Sequence, residues 1–596
     1  MRKRKQHDVL GNTSLSHFDV CIIGSGAGGG TAAHVLTEPT TGGKNVLVLE
    51  AGPLTYQFLD DPKRDPVSLH SNDEVKYAVR NWIYPIADFD PRPFRTGGAT
   101  VTGLDVNQLP RLVGGAFGHA DVKTPRFTKV DFRLKTAVEA LIAGTPGLVV
   151  PGFGTDSGSA NFADWPFDYD ALEPFYGEVE KLYGIQGAED NPYASTRSKP
   201  YPMPPGVAMY LGLKLSDGCK ATMLDGRTLT PHHYPGAAAS QFYDGRPPCV
   251  DCGPCSGFGC PNNSKGAPAV VTIRKALLSG RCQLRYNATV MRLVLTGSHV
   301  TAVEYVDGDG NPQTATADAF MLAASPIESA RLALLSNVPS ASGQIGRNLM
   351  FHYQTNVNGF SPERIHGQRG RAVTHGVSDF RGLESGGETI RVFQTADGPR
   401  LRLGGICEFG ASQGLPITED GWVYALQLGT GLGTPLKNAL RDGALGQHLF
   451  GLTMQAEDAP QLTNQVDLDP TYKDVFGRPA ARVTYDNHRF EKETRDFYLP
   501  TLEEVVTKAG GMKAFVAPCD LALGAPTSRH IMGTLRMGTD PAASVVAADG
   551  RFHEVDNLYA CDGSVFVSSS GWNPTLTIMA VSAKIAHGIA GTAPTV

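Results

Sequence analysis

The pattern of apolar positions changes period within the first fifty residues. Phe18-Asp-Val-Cys-Ile-Ile23 is a short apolar run that predicts a buried strand, and Thr31-Ala-Ala-His-Val-Leu36 has the apolar-rich spacing of a helix. Gly24-Ser-Gly26-Ala-Gly-Gly29 joins them, and Asn45-Val-Leu-Val-Leu-Glu50 predicts a second buried strand. Further along, alternation in Asn287-Ala-Thr-Val-Met-Arg-Leu-Val-Leu295 and Val300-Thr-Ala-Val-Glu-Tyr-Val306, followed by Asp307-Gly-Asp-Gly-Asn311, predicts a small antiparallel sheet. No stretch approaches the roughly 18 apolar residues of a membrane helix, so no membrane span is expected.

The first motif has a physical reading. Gly24 permits the tight turn, Gly26 lets backbone approach a pyrophosphate at the helix N-terminus, and Gly29 allows close packing of helix on strand. Glu50 ends the second strand 21 residues after Gly29, where a carboxylate can accept hydrogen bonds from an adenosine ribose. Strand, glycine turn, helix, strand and acid together predict a dinucleotide site. NAD and FAD share the adenosine diphosphate that this turn reads, so the motif leaves both open.

With 596 residues the chain is expected to hold two or more domains. Lys+Arg 53 against Asp+Glu 59 leaves a net charge of −6, so neither nucleic acid nor an anionic membrane is expected as a partner. The basic start Met1-Arg-Lys-Arg-Lys-Gln-His7 leads into polar residues without the apolar run of an export signal, which makes a cytoplasmic location the default expectation.

Four of the ten cysteines fall within twelve residues as Cys249-x2-Cys252-x2-Cys255-x4-Cys260-Pro261, close to the ferredoxin spacing except for a final gap of four. Gly253, Gly257 and Gly259 would let a short loop wrap an inorganic core. Structural zinc more often draws separated cysteine pairs, so the spacing favours an iron-sulfur cluster, with zinc, disulfides or reduced thiols as alternatives.

The glycine motif at the start resembles that of the glucose-methanol-choline (GMC) oxidoreductases, and so does Asn557-Leu-Tyr-Ala-Cys-Asp562-Gly563-Ser564 near the end. Asp164-Trp-Pro-Phe-Asp-Tyr-Asp-Ala-Leu-Glu-Pro-Phe-Tyr176 is similar to a segment of bacterial sugar and gluconate dehydrogenases, and Ala324-Ser-Pro-Ile-Glu-Ser-Ala-Arg-Leu-Ala-Leu-Leu-Ser336 resembles a turn and helix of the family. The resemblance implies FAD, with Asp562 and Gly563 meeting the flavin dinucleotide and Val290 at the adenine. It implies an α/β protein: a Rossmann-like FAD-binding domain assembled from residues 17–60, 95–135, 250–345 and 535–596. A second, α+β substrate domain built on an antiparallel sheet would come from 151–248 and 346–534, with region 380–480 as the floor of the substrate pocket.

By the same resemblance, Ser528-Arg-His530-Ile-Met-Gly-Thr534 holds the active-site histidine and Ser570-Gly-Trp-Asn573-Pro574-Thr575 the second active-site residue, 43 positions later. Pro574 and Thr575 would also contact the flavin. Alcohol oxidation removes a proton from oxygen and a hydride from carbon; neutral imidazole suits the first task, and an amide can hold the oxygen in line. Val113-Gly114-Gly115-Ala-Phe-Gly-His119 resembles the Gly-Gly turn over the isoalloxazine. Some relatives bond a histidine here covalently to the flavin, but Ala120 departs from the pyranose oxidase pattern, so attachment through His119 and simple stacking both stay open.

The expected function is therefore FAD-dependent oxidation of a secondary alcohol of a sugar or glycoside, in the manner of a glucoside 3-dehydrogenase or gluconate 2-dehydrogenase flavoprotein. Electrons would leave through the cysteine-bound cluster to a cytochrome or other external acceptor. A small subunit is an expected partner, and a signal-bearing one would carry the chain to the periplasm. The alternatives are an oxygen-dependent pyranose or C-glycoside oxidase making hydrogen peroxide, a lyase that binds FAD without using its redox chemistry, and a binding module.

Overall fold

The computed structural model describes residues 8–56, 59, 90–97, 100–104, 106, 110–118, 120–252, 255–367, 370–371, 373–410, 431–442, 445–512, 514–516, 526 and 528–594. A six-stranded sheet runs in the order Val9–Gly11, Cys282–Arg285, Val46–Leu49, Val20–Ile23, Ala319–Leu322, Leu558–Ala560. All neighbours are parallel except the edge strand Val9–Gly11. Val20–Ile23 and Val46–Leu49 are buried at every position, so both faces of the sheet are covered, which is why they read as unbroken apolar runs. Helix Ala27–Thr37 packs against helices Thr272–Leu278 and Thr575–Ala590.

Val20–Ile23 lies between the strand that follows it and one drawn from residue 319 onward. Connections therefore depart to opposite sides at its C-terminal end, opening the crevice where ligands bind in sheets of this kind.

A second six-stranded sheet is antiparallel throughout, in the order Phe515–Val516, Tyr353–Phe360, Leu449–Ala456, Cys407–Gly410, His375–Val377, Pro231–His233. One face is apolar: Val357, Phe450, Leu452, Met454, Cys407 and Phe409 form a core with Tyr498, Leu502 and Val505 of helix Arg489–Lys508. The expected floor in region 380–480 is thus drawn more widely. Two of its strands lie within that range, but Tyr353–Phe360 comes before it, and Gln465–Lys473 leaves for a separate sheet with Pro479–Thr484 and Phe94–Arg95. Thr289–Thr296, His299–Val306 and Pro312–Ala315 form the expected small antiparallel sheet.

The segment that opens with Asp164-Trp-Pro starts helix Tyr169–Tyr183, capped by the Asp168 carboxylate accepting from Ala171 N. Trp165 Nε1 donates to Ser568 Oγ at 3.0 Å and its ring packs edge-on to Phe566, tying this helix entry to the C-terminal segment.

Candidate active site

A cavity of about 970 Å³ runs from the end of Val20–Ile23 to the second sheet. Gly24, Gly26, Glu50, Gly115, Val290, Asp562, Gly563, Asn573, Pro574, Thr575 and His530 all line it. Gly29 and Gly114 do not; they work behind the wall. A Cβ at Gly29 would lie 2.0 Å from Gly24 O, and one at Gly114 would lie 2.8 Å from Ala269 Cβ. His119 lies outside the described residues.

The nucleotide end has the shape of a dinucleotide cradle. Gly24 takes φ +103°, and a Cβ there would meet Ala323 O at 2.3 Å. At Gly26 an added Cβ would have only Gly115 Cα within 4 Å, at 3.9 Å, so backbone alone borders the space. Gly26 caps helix Ala27–Thr37 without a side-chain hydrogen bond, leaving the first amides for a ligand anion. Glu50 accepts from Ser25 N and Oγ at 3.0 and 2.6 Å and from Gly52 N at 2.8 Å. Burial raises its pKa against those bonds. Asp562 is raised by burial in the same way, although Ser329 Oγ (2.6 Å) and Ser564 N (2.8 Å) donate to it.

At the opposite end His530 and Asn573 come together, with Asn573 Nδ2 3.4 Å from His530 Nε2. Asn573 is held from behind: Nδ2 donates to Glu408 Oε1 at 2.7 Å, and Oδ1 accepts from the Tyr234 hydroxyl. Lys123 Nζ pairs with Glu408 at 2.5 Å and with Asp121 at 2.8 Å. Burial alone would neutralise Lys123, but the two carboxylates outweigh it and hold the ammonium above its ordinary pKa. Burial likewise opposes ionisation of Asp121, yet Lys123 and Ser256 hold it below the ordinary range. His530 is pushed well below the usual histidine range by burial first, then by His352 and Lys123. It is a neutral imidazole at pH 7. Its Nδ1 lies 2.9 Å from His352 Nδ1.

Sequence reasoning missed the second sheet's contribution. Its cavity face carries Gln354 and Asn356, Thr453 and Gln455, and Glu408. Register sets Gln354 opposite Gln455, and Thr453 opposite both Asn356 and Glu408. Gln354 Nε2 donates to Gln455 Oε1 at 3.0 Å and Thr453 Oγ1 to Asn356 Oδ1 at 2.5 Å. The signal was present as polar residues at period two within Leu452-Thr-Met-Gln-Ala456, whereas the polar Thr355 between Gln354 and Asn356 masks the alternation in the neighbouring strand.

The cysteine loop borders the same cavity through Ser256 and Gly257. Lys265 Nζ ties it down, donating to Cys255 O at 2.7 Å, Phe258 O at 3.0 Å and Ala120 O at 3.0 Å. Cys249, Cys252, Cys255 and Cys260 are all partly buried and carry no disulfide. Among the described residues, the one trio of His, Cys, Asp or Glu ligand atoms within 4.8 Å of each other is His17, Asp19 and Asp318. Tetrahedral zinc would bring its sulfurs to about 3.8 Å of each other, given a Zn–S bond of about 2.3 Å. The cysteine sulfurs are not gathered that tightly.

A crevice at a parallel-sheet switch point, a glycine cradle and a histidine-amide pair define a nucleotide-dependent oxidoreductase. A family model described as GMC oxidoreductase matches residues 235–354, and a second of the same description matches residues 460–582. The chain belongs to the GMC oxidoreductase family: it is an FAD-dependent enzyme acting on CH–OH groups. It is 25% identical to the gluconate 2-dehydrogenase flavoprotein of Pantoea cypripedii, over 95% of this chain and 92% of that protein. It is 26% identical to the fructose dehydrogenase large subunit of Gluconobacter japonicus (97% and 99% covered) and 25% identical to the paromamine 6'-oxidase of Streptomyces fradiae (96% and 91%). The fold is similar to the crystal structure of pyridoxine 4-oxidase from Mesorbium loti, with a TM-score of 0.58 at 17% identity over 96% of this chain and 99% of that one. Among the described residues no helix is long and apolar enough to cross a membrane.

Proposed function

We propose that this enzyme oxidises a secondary alcohol of a sugar or glycoside to a ketone and delivers the electrons to an external acceptor. The observation that carries the reading is the pairing of neutral His530 with Asn573 at a cavity wall whose sheet face is polar at alternate positions. FAD, when bound, would supply the hydride acceptor for alcohol oxidation. His530 takes the hydroxyl proton on Nε2, the nitrogen on the Asn573 side. Asn573, its amide oriented by Glu408 and Tyr234, holds the substrate oxygen in line. Gln354, Asn356, Thr453 and Gln455 offer donors and acceptors to the remaining hydroxyls of a polyol, and such paired polar contacts discriminate strongly against analogues lacking a hydroxyl. Gly24, Gly26, Glu50, Val290, Asp562 and Gly563 would hold the dinucleotide.

Cys249, Cys252, Cys255 and Cys260 would carry an iron-sulfur cluster, a reading favoured over zinc by four cysteines within twelve residues and by a loop that shares the cavity wall. The relative named as a large subunit supports a multi-subunit assembly in which a partner receives those electrons. A second reading, an oxygen-dependent oxidase, draws on the relative named as an oxidase.

Anaerobic mixing with sugars and polyols tests the first reading. Flavin absorbance should bleach with a substrate of this class, and His530→Gln should slow bleaching by about 10²- to 10⁴-fold. A colourless protein that refuses added FAD, or a His530→Gln variant as fast as the parent, would overturn it. Stoichiometric peroxide from air, with no iron in the purified protein, would favour the oxidase.

A further inference from the structure

We propose that His352 is a positioning residue that sets the tautomer of His530, keeping the proton on Nδ1 and presenting the bare Nε2 to the cavity. The proposal rests on the reading of His530 as proton acceptor and adds how the correct nitrogen is made available.

The carbonyl oxygen of Ser569 can only accept a hydrogen bond. His352 Nε2 lies 3.1 Å from the carbonyl oxygen of Ser569, so that nitrogen carries a hydrogen. His352 is buried and its pKa is lowered to about 4, first by burial and also by nearby Arg381, so the ring is neutral and its Nδ1 is bare. His530 Nδ1, 2.9 Å away, must then supply the hydrogen between the two rings. The ring planes stand 85° apart and the two Nδ1 atoms are the ones in hydrogen-bond contact.

The opposite side of His530 leads to the same assignment independently. Glu408, a carboxylate paired with Lys123, can only accept, so the amide atom 2.7 Å from it is Asn573 Nδ2. The second hydrogen of that NH2 group is then the one available to His530 Nε2 at 3.4 Å, where it needs a lone pair to meet. In the other tautomer two bare nitrogens would face each other across the His352 contact and two N–H groups would face each other at Asn573. A base with its proton on the wrong nitrogen cannot serve, and holding a catalytic imidazole in one tautomer is worth orders of magnitude in rate elsewhere.

The test uses full-length protein labelled with 15N-histidine, without and with FAD, and His530→Gln to assign the resonances. The proposal expects a pyridine-type Nε2 and a pyrrole-type Nδ1 for His530 in both states. His352→Phe keeps an aromatic ring but removes the acceptor; it should bind FAD like the parent, yet lower the rate of substrate-driven bleaching by about 10- to 100-fold with little change in KM. His352→Asn places an amide oxygen near the former Nδ1 and should recover most of that loss. A pyrrole-type Nε2 in the parent, or His352→Phe and His352→Asn bleaching at the same rate, would overturn the proposal. Should His352→Phe fail to fold, the parent spectrum alone decides. A His530→Gln variant that bleached at the parent rate would instead sink the proton-acceptor reading, leaving the tautomer to be read from the spectrum.

Discussion

Among the described residues, the groups bearing on His530 are His352, Lys123, the Asn573 amide and, beyond that amide, Glu408. Burial and the neighbouring Lys123 both disfavour imidazolium. A base lowered in this way is active above its pKa and is lost as pH falls through it. The rate of flavin reduction should therefore stay level from neutrality down past pH 6.5 and decline only well below that. An acid limb centred at or above 6.5 in the pH profile of anaerobic bleaching would contradict the environment described. Glu408→Gln tests the support behind Asn573. It removes the charge that binds Lys123 and orients the amide, and should lower the bleaching rate about tenfold or more while the flavin spectrum stays that of the parent.

Elements meet here through backbone more than through side chains. A Cβ at Gly29 would strike Gly24 O, a backbone atom that cannot swing away, so Gly29→Ala should cost about 1–3 kcal/mol and weaken FAD retention, as read from thermal unfolding and from flavin lost on gel filtration. The same device joins the C-terminal turn to the second sheet. Ile406 N donates to Gly571 O at 2.8 Å, and a Cβ at Gly405 would lie 1.8 Å from Gln455 O. This close approach seats Asn573 against Glu408. Thr534 and Ser570, both buried non-glycine residues with positive φ, sit in the two segments that deliver His530 and Asn573. Backbone strain of this sort accompanies functional turns.

At the scale of the whole molecule, a buried ion triad ties helix Lys129–Phe132 to the short helix Asp379–Arg381 and to the residue that follows strand Leu449–Ala456. Arg381 Nη2 lies 2.6 Å from Asp131 and 2.7 Å from Glu457, all without solvent exposure. Burial pushes Glu457 up to about 7 even with Arg381 beside it. Arg381→Met would strand two carboxylates, and a loss of about 3–5 kcal/mol in denaturant unfolding is expected. Replacing Cys252 and Cys255 with Ser should abolish any bound iron and slow reduction of an added one-electron acceptor while leaving flavin bleaching by substrate intact. Unchanged acceptor turnover would separate the cysteine loop from the electron route.

The amino-acid sequence by itself determined what is local. The turn Gly24-Ser-Gly26-Ala-Gly-Gly29 is constrained by its own backbone angles and by the helix it opens, and unbroken apolar runs announce strands of a covered parallel sheet. His530 and Asn573 were legible through the motifs around them. Lys123, Tyr234, His352 and Glu408 were not, since each acts through a partner far away in the chain. Lys123 and Glu408 are 285 positions apart, Glu408 and Asn573 165, and His352 and His530 178. Which of their atoms meet is decided by the register of an antiparallel sheet, where a shift of one residue would turn Glu408, Gln354 and Thr453 into the apolar core and expel Cys407, Val357 and Met454. Only the tertiary structure carries that register, because it is settled by packing against helix Arg489–Lys508 and not by any neighbour in the chain.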